Sequence, residues 1–139
     1  MTKNTLETGD VFTHCLEAAN EIGCEYKGLQ KCVKHPFFAN TLVWFPKLND
    51  EKKWINRVTK NGSYIWESPV DKSKTASHVN KYVNGTEKTR VTFGSQISPA
   101  GTKYYIFMGV YRLVEKRSND LNGLCWKRVS KTTPKSIQV

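Results

Sequence analysis

Apolar positions in this chain recur first at helical spacing and then, for most of its length, at strand spacing. Val11, Phe12, Cys15, Leu16, Ala18, Ala19 and Ile22 fall three and four residues apart. Asp10 is placed to cap them and Gly23 to stop them, which predicts a helix over 10–22. Residues 25–40 keep neither period, and His35-Pro36 favours a loop. Leu42-Val43-Trp44-Phe45 reads as a short buried strand ended by Pro46. Residues 54–59 and 63–67 flank Lys60-Asn61-Gly62, and Asn-Gly is the strongest short hairpin signal. A second, basic helix is predicted over 72–84, with Ala76, Val79, Tyr82 and Val83 inward and Gly85 as its stop. Three strands follow, over 88–93, 103–115 and 124–130.

The 103–115 strand is apolar on both faces. One set is Tyr105, Phe107, Gly109, Tyr111 and Leu113; the other is Tyr104, Ile106, Met108, Val110, Arg112 and Val114. A strand of this kind is usually central and covered on both sides, although an aromatic face can also stack bases. Gly109 in mid-strand fits a bulge, a bend or the close approach of a ligand. Strands clustered between two helices predict an α+β fold: a curled, mainly antiparallel sheet or small β-barrel flanked by two helices. One domain over 1–131 and a flexible tail over 132–139 complete this expectation.

Composition narrows the class. A chain of 139 residues with 12% aromatics can bury a core without metals or disulfides. The longest apolar runs, 41–46 and 104–114, are too short to span a bilayer, and the N-terminus lacks a signal-peptide stretch. An intracellular, cytoplasmic protein with no membrane partner is expected. Cys15, Cys24, Cys32 and Cys125 then read as free thiols. A zinc site from Cys24, Cys32 and His35, completed by His14 or Cys15, is the sharper alternative. The spacing lacks the paired C-x2-C form, so no metal and no cofactor are assigned.

Charge separates the chain into two parts. Residues 1–50 carry a net −1, whereas 51–139 carry +11. Lys52, Lys53, Arg57 and Lys60 gather around the hairpin, and Arg112, Lys127 and Arg128 at the end of the sheet. Cations attract phosphates and rings stack on bases, so Trp66, Tyr105 and Tyr111 join these seven as candidate nucleic-acid contacts. Catalysis finds no comparable support. Glu25-Tyr-Lys27 and Glu51-Lys-Lys53 match E-x-K but lack a partner carboxylate, and His14, His35 and His78 are scattered.

Tyr104-Tyr-Ile-Phe-Met-Gly-Val-Tyr-Arg-Leu113 followed by Cys125-Trp-Lys-Arg-Val129 resembles the end of small PUA-like β-barrel modules in restriction endonucleases and defence helicases. Gly62-Ser-Tyr-Ile-Trp-Glu-Ser68 and Thr89-Arg-Val-Thr-Phe93 are similar to their preceding strands, so the likeness covers about 60–130. It implies a nucleic-acid-binding barrel. Some such barrels hold a flipped modified base between rings, for which Tyr64, Trp66, Tyr105, Phe107 and Tyr111 would be the wall residues. No nuclease or helicase motif accompanies the module here, which sets modified-base reading aside at this stage. The expectation is a non-enzymatic DNA- or RNA-binding domain from a defence-related or mobile-element system. A phage-type inhibitor that blocks an effector protein or ribonucleoprotein is the alternative, and a small metal-dependent nuclease the third reading.

Overall fold

The doubly apolar strand lies in the interior of an eight-stranded sheet. The computed structural model describes residues 4–24, 32–48, 51–59 and 61–135. In chain order the elements are β1 (Thr5–Glu7), β2 (Val11–Phe12), α1 (Cys15–Glu21), β3 (Cys32–Lys34), β4 (Thr41–Trp44), β5 (Trp54–Val58) and β6 (Tyr64–Pro69). A 3-10 turn (Lys72–Lys74), α2 (Thr75–Val83), β7 (Thr89–Ile97), β8 (Lys103–Leu113), β9 (Leu124–Ser130) and β10 (Thr132–Pro134) follow. The sheet order is β3-β4-β7-β8-β9-β6-β5, with β2 added alongside β8.

This is an α+β fold with two helices, but the sheet is neither curled nor closed into a barrel. The path is open, with β3 at one end and β5 at the other. It is also mixed, because β4 and β7 run parallel, Thr41 opposite Thr89 and Trp44 opposite Thr92. A parallel pair needs a long crossover, and here the connection contains the β5–β6 hairpin and α2.

A bulge in β8 divides the aromatic strand between two cores. Thr92 pairs with Gly109 while Phe93 pairs with Phe107, so the register slips by one residue. Gly109 has φ +124, and an added Cβ there would lie 2.6 Å from both the Ser130 carbonyl oxygen and Arg128 Cδ. One extra residue reverses the facing of every side chain beyond it. Tyr105 and Phe107 therefore join Val43, Val91, Phe93 and the α1 residues Ala18 and Ala19 in one core. Met108, Tyr111 and Leu113 join Trp44, Ile65, Val79 and Trp126 in the other, under α2.

Two local expectations are corrected. The helix predicted from residue 10 begins only at Cys15, because Val11 and Phe12 pair with Ile106 and Tyr105 as β2. Asp10 does not cap the helix: its side chain accepts from Glu7 N at 3.0 Å, and its carbonyl accepts from Phe107 N at 2.8 Å. Within residues 132–139, Thr132–Pro134 pairs with β1, and Thr133 is buried opposite Leu6. Residues 136–139 lie outside the described residues. No helix among the described residues is long and apolar enough to cross a membrane.

Candidate nucleic-acid site

The α2 face of the sheet holds a cavity of about 330 Å³. Alternation along the edge hairpin places Trp54 and Asn56 of β5 on this face, and register puts Asn56 directly opposite Glu67 of β6. Trp44, at the end of β4, adds a third wall. His78 and Tyr82, four residues apart on one face of α2, close the space from above. Their rings interlock: Trp54 and His78 have centroids 4.6 Å apart, and His78 and Tyr82 5.1 Å apart. Lys47, Lys52 and Lys53 stand around the same space.

Beneath the cavity sits a buried charge pair. Arg90 is fully buried, and its Nη1 donates to Glu67 Oε1 at 2.9 Å. Its guanidinium lies over three rings, 3.9 Å from the centroid of Trp126, 4.4 Å from Trp44 and 4.7 Å from Tyr82. Trp126 Nε1 donates to the same Glu67 oxygen at 3.2 Å, and His78 Nε2 approaches it at 3.3 Å. Burial works against charge on Glu67. The Arg90 charge, the close approach of His78 and the Trp126 hydrogen bond outweigh it, and hold the carboxyl below its ordinary value. All three partners converge on Oε1, and the Glu67 carboxylate, an acceptor group, lines the cavity. Asn56 supplies a second acceptor: its Nδ2 donates to the Lys47 carbonyl at 3.1 Å, while its buried Oδ1 has no hydrogen-bond partner.

A groove of about 790 Å³ continues from the cavity past Trp54 and His78. Lys52, Lys53, Lys74 and Lys81 line it, together with Ser77. Aromatic walls from Trp44, Trp54 and Tyr82, two acceptors in the floor and a lysine-rich approach form a receptacle for a flat polar ring carried on an anionic chain.

The residues predicted from sequence divide among three places. Lys52 and Lys53 stand at the cavity. Arg57, Trp66, Arg112 and Lys127 lie on the opposite face of the sheet, where Arg57 pairs with Trp66 and Arg112 with Lys127. Tyr105 and Tyr111 are rings of the two buried cores rather than of the surface. Tyr111 donates its hydroxyl to the Gly62 carbonyl at 2.5 Å. Arg128 is occupied in the same corner, donating to the carbonyls of Asn61 at 2.9 Å and Met108 at 3.2 Å. Both tie the hairpin turn to the sheet. Lys60 lies outside the described residues.

The walls implied by the resemblance are likewise displaced: Trp44, Trp54 and Tyr82 line the cavity in place of Tyr64, Trp66, Tyr105, Phe107 and Tyr111. A signal for the floor of this cavity was available. Asn56 and Glu67 are polar residues inside strands of a hairpin whose turn was legible, and they fall on the same face as apolar Ile65. Among the described residues no group of three or more His, Cys, Asp or Glu is placed to hold a metal ion. Of the zinc alternative, His35 Nδ1 is taken, accepting from Phe37 N at 3.1 Å and Phe38 N at 3.2 Å. The Glu25/Lys27 motif lies outside the described residues.

Residues 1–134 match the family model of the SRA domain, the SET and RING associated domain, and the chain belongs to that family. Among solved structures it is similar to "The 5-Hydroxymethylcytosine-Specific Restriction Enzyme AbaSI", with 26% identity and a TM-score of 0.87. That match covers 98% of this chain and 44% of AbaSI, so the chain spans less than half of that enzyme's length. A comparison with curated protein sequences gives no match. The resemblance to nucleic-acid-binding modules of restriction enzymes thus holds at the level of the domain, without the barrel first expected.

Proposed function

We propose that this chain is a DNA-binding domain that draws an extruded cytosine bearing a 5-hydroxymethyl group into the cavity under α2, and performs no chemistry on it. The observation that carries the proposal is the floor of the cavity, where Glu67 is kept ionised and Asn56 Oδ1 is buried without a partner. Two acceptors suit a base edge that presents donors. The cytosine N4 amino group donates, whereas thymine offers a carbonyl oxygen at the same position. A 5-hydroxymethyl group adds a second donor. A base stacked inside a duplex cannot reach such a floor, so it must leave the helix, at a cost of a few kcal/mol. Stacking against Trp44, Trp54 and Tyr82 offsets that cost, and Lys52, Lys53, Lys74 and Lys81 hold the flanking phosphates. Similarity over 98% of the chain to an enzyme described as 5-hydroxymethylcytosine-specific supports the same choice of base.

The test is fluorescence anisotropy on otherwise identical duplexes carrying one cytosine, 5-methylcytosine or 5-hydroxymethylcytosine. The hydroxymethylated duplex is expected to bind tightest, and Glu67→Gln is expected to reduce the preference over a thymine-containing control. Equal affinity for all the duplexes would remove the reading.

A further inference from the structure

The face of the sheet opposite the cavity is only half covered. Over β4, β7 and β8 it is closed by α1, which completes the first core together with Phe12 of β2. Over β5, β6 and β9 the same face carries Arg57, Tyr64, Trp66 and Lys127, with Arg112 next to Lys127 on β8. Tyr64 and Trp66 are two residues apart on one strand, and both rings are half-buried. The Arg117 guanidinium lies above both, 4.7 Å from the Tyr64 centroid and 5.6 Å from that of Trp66.

A cleft of about 270 Å³ opens beside this pair, between Arg57, Trp66, Lys72 and Leu121. Leu121 is 78% exposed at the tip of the β8–β9 loop. The loop is braced by Asn119 Oδ1, which accepts from Leu121 N at 3.0 Å and Asn122 N at 2.7 Å. No carboxylate pairs with Arg57, Lys72, Arg112 or Lys127 among the described residues. Of the nearby acids, Glu115 pairs with Lys88, and Asp71 accepts from Ser73. Asp120, next to Leu121 in the chain, is exposed.

We infer that this uncovered half-face is a second nucleic-acid surface, which takes an unpaired strand independently of the cavity. A duplex presents only its phosphates to a flat face and would leave the rings and Leu121 unused. An unpaired strand uses all three features: phosphates meet Arg57, Lys72 and Lys127, and bases stack on Tyr64, Trp66 or the outer plane of the Arg117 guanidinium. Leu121 then covers the edge of a stacked base. The inference does not need the cavity to bind a modified cytosine.

The experiment uses fluorescein-labelled oligothymidine, which contains no cytosine, beside the hydroxymethylated duplex. The protein is expected to bind oligothymidine, and Arg57→Ser/Lys127→Ser to lower the slope of log K against log salt by about 1.4, at about 0.7 per phosphate contact. Trp66→Ala is expected to weaken oligothymidine binding about 5- to 150-fold, with the fold checked by circular dichroism. Trp54→Ala should leave oligothymidine binding unchanged while weakening the duplex. No binding of oligothymidine by the native protein would overturn the inference. So would an unchanged salt slope in the double variant, or equal loss of both ligands in Trp54→Ala. Loss of the hydroxymethyl preference with oligothymidine binding intact would count against the cavity alone.

Discussion

Replacing Arg90 by Met tests whether the buried pair holds the floor of the cavity. The Arg90 side chain is 1% exposed and that of Glu67 7%, so solvent screens the pair very little. Removing the guanidinium leaves a buried carboxylate with only His78 and Trp126 as partners, and breaking such a pair costs about 3–5 kcal/mol. It also removes a cation from over three rings, which adds about 1 kcal/mol. Domains of this size have about 5–15 kcal/mol in total, so the variant should fold only marginally at 37 °C. The two losses total about 4–6 kcal/mol, so at about 4 °C per kcal/mol the melting temperature should fall by about 16–24 °C. Adding Glu67→Gln neutralises the stranded charge and should restore more than half of the loss. Urea unfolding followed by far-ultraviolet circular dichroism measures both variants. Lowering the pH should shrink the deficit of Arg90→Met, because a protonated Glu67 tolerates burial. A loss below about 1 kcal/mol, or a double variant no more stable than the single one, would refute the reasoning.

Other consequences are as direct. Burial holds the pKa of His35 below 6.5, and its Nδ1 must stay unprotonated to accept from Phe37 and Phe38. The unfolded chain binds more protons in that window, so stability should rise with pH up to about 6.5 and be lost below it. His35→Asn, which keeps an acceptor without titrating, should flatten that rise in denaturation curves between pH 5 and 7. At Gly123, with φ +90, a Cβ would lie 2.2 Å from the carbonyl oxygen of Glu67. Gly123→Ala should therefore cost about 2 kcal/mol or more and disturb the cavity, seen as a lower melting temperature together with weaker duplex binding. Trp54 lies on an edge strand and is only partly buried. Its change to Ala should weaken binding of the hydroxymethylated duplex about 5- to 150-fold, and titration against the native protein measures the ratio.

Most strands were legible because alternation and the Asn61-Gly62 turn are local signals; β9, predicted over 124–130, is observed as Leu124–Ser130. What failed was non-local. The parallel β4–β7 pairing, which makes the sheet mixed, joins segments separated by a hairpin and a helix. The bulge at Gly109 reversed the facing of Tyr111 and Leu113 relative to Tyr105, and simple alternation cannot reveal which faces a bulge exchanges. The site suffered for the same reason. Exposed cations such as Lys52 and Lys53 were found from composition. Arg90 counted as one more basic residue, although tertiary packing buries it beneath Trp44, Tyr82 and Trp126. Trp44 passed for an ordinary core residue because its strand is buried throughout.

The most direct test of base extrusion places 2-aminopurine opposite a single 5-hydroxymethylcytosine in a duplex and follows its fluorescence as the protein is added. Entry of the cytosine into the cavity leaves the 2-aminopurine unpaired, so its emission should rise with the native protein and stay flat with Trp54→Ala. A native protein that binds the duplex while 2-aminopurine emission remains flat would contradict the account.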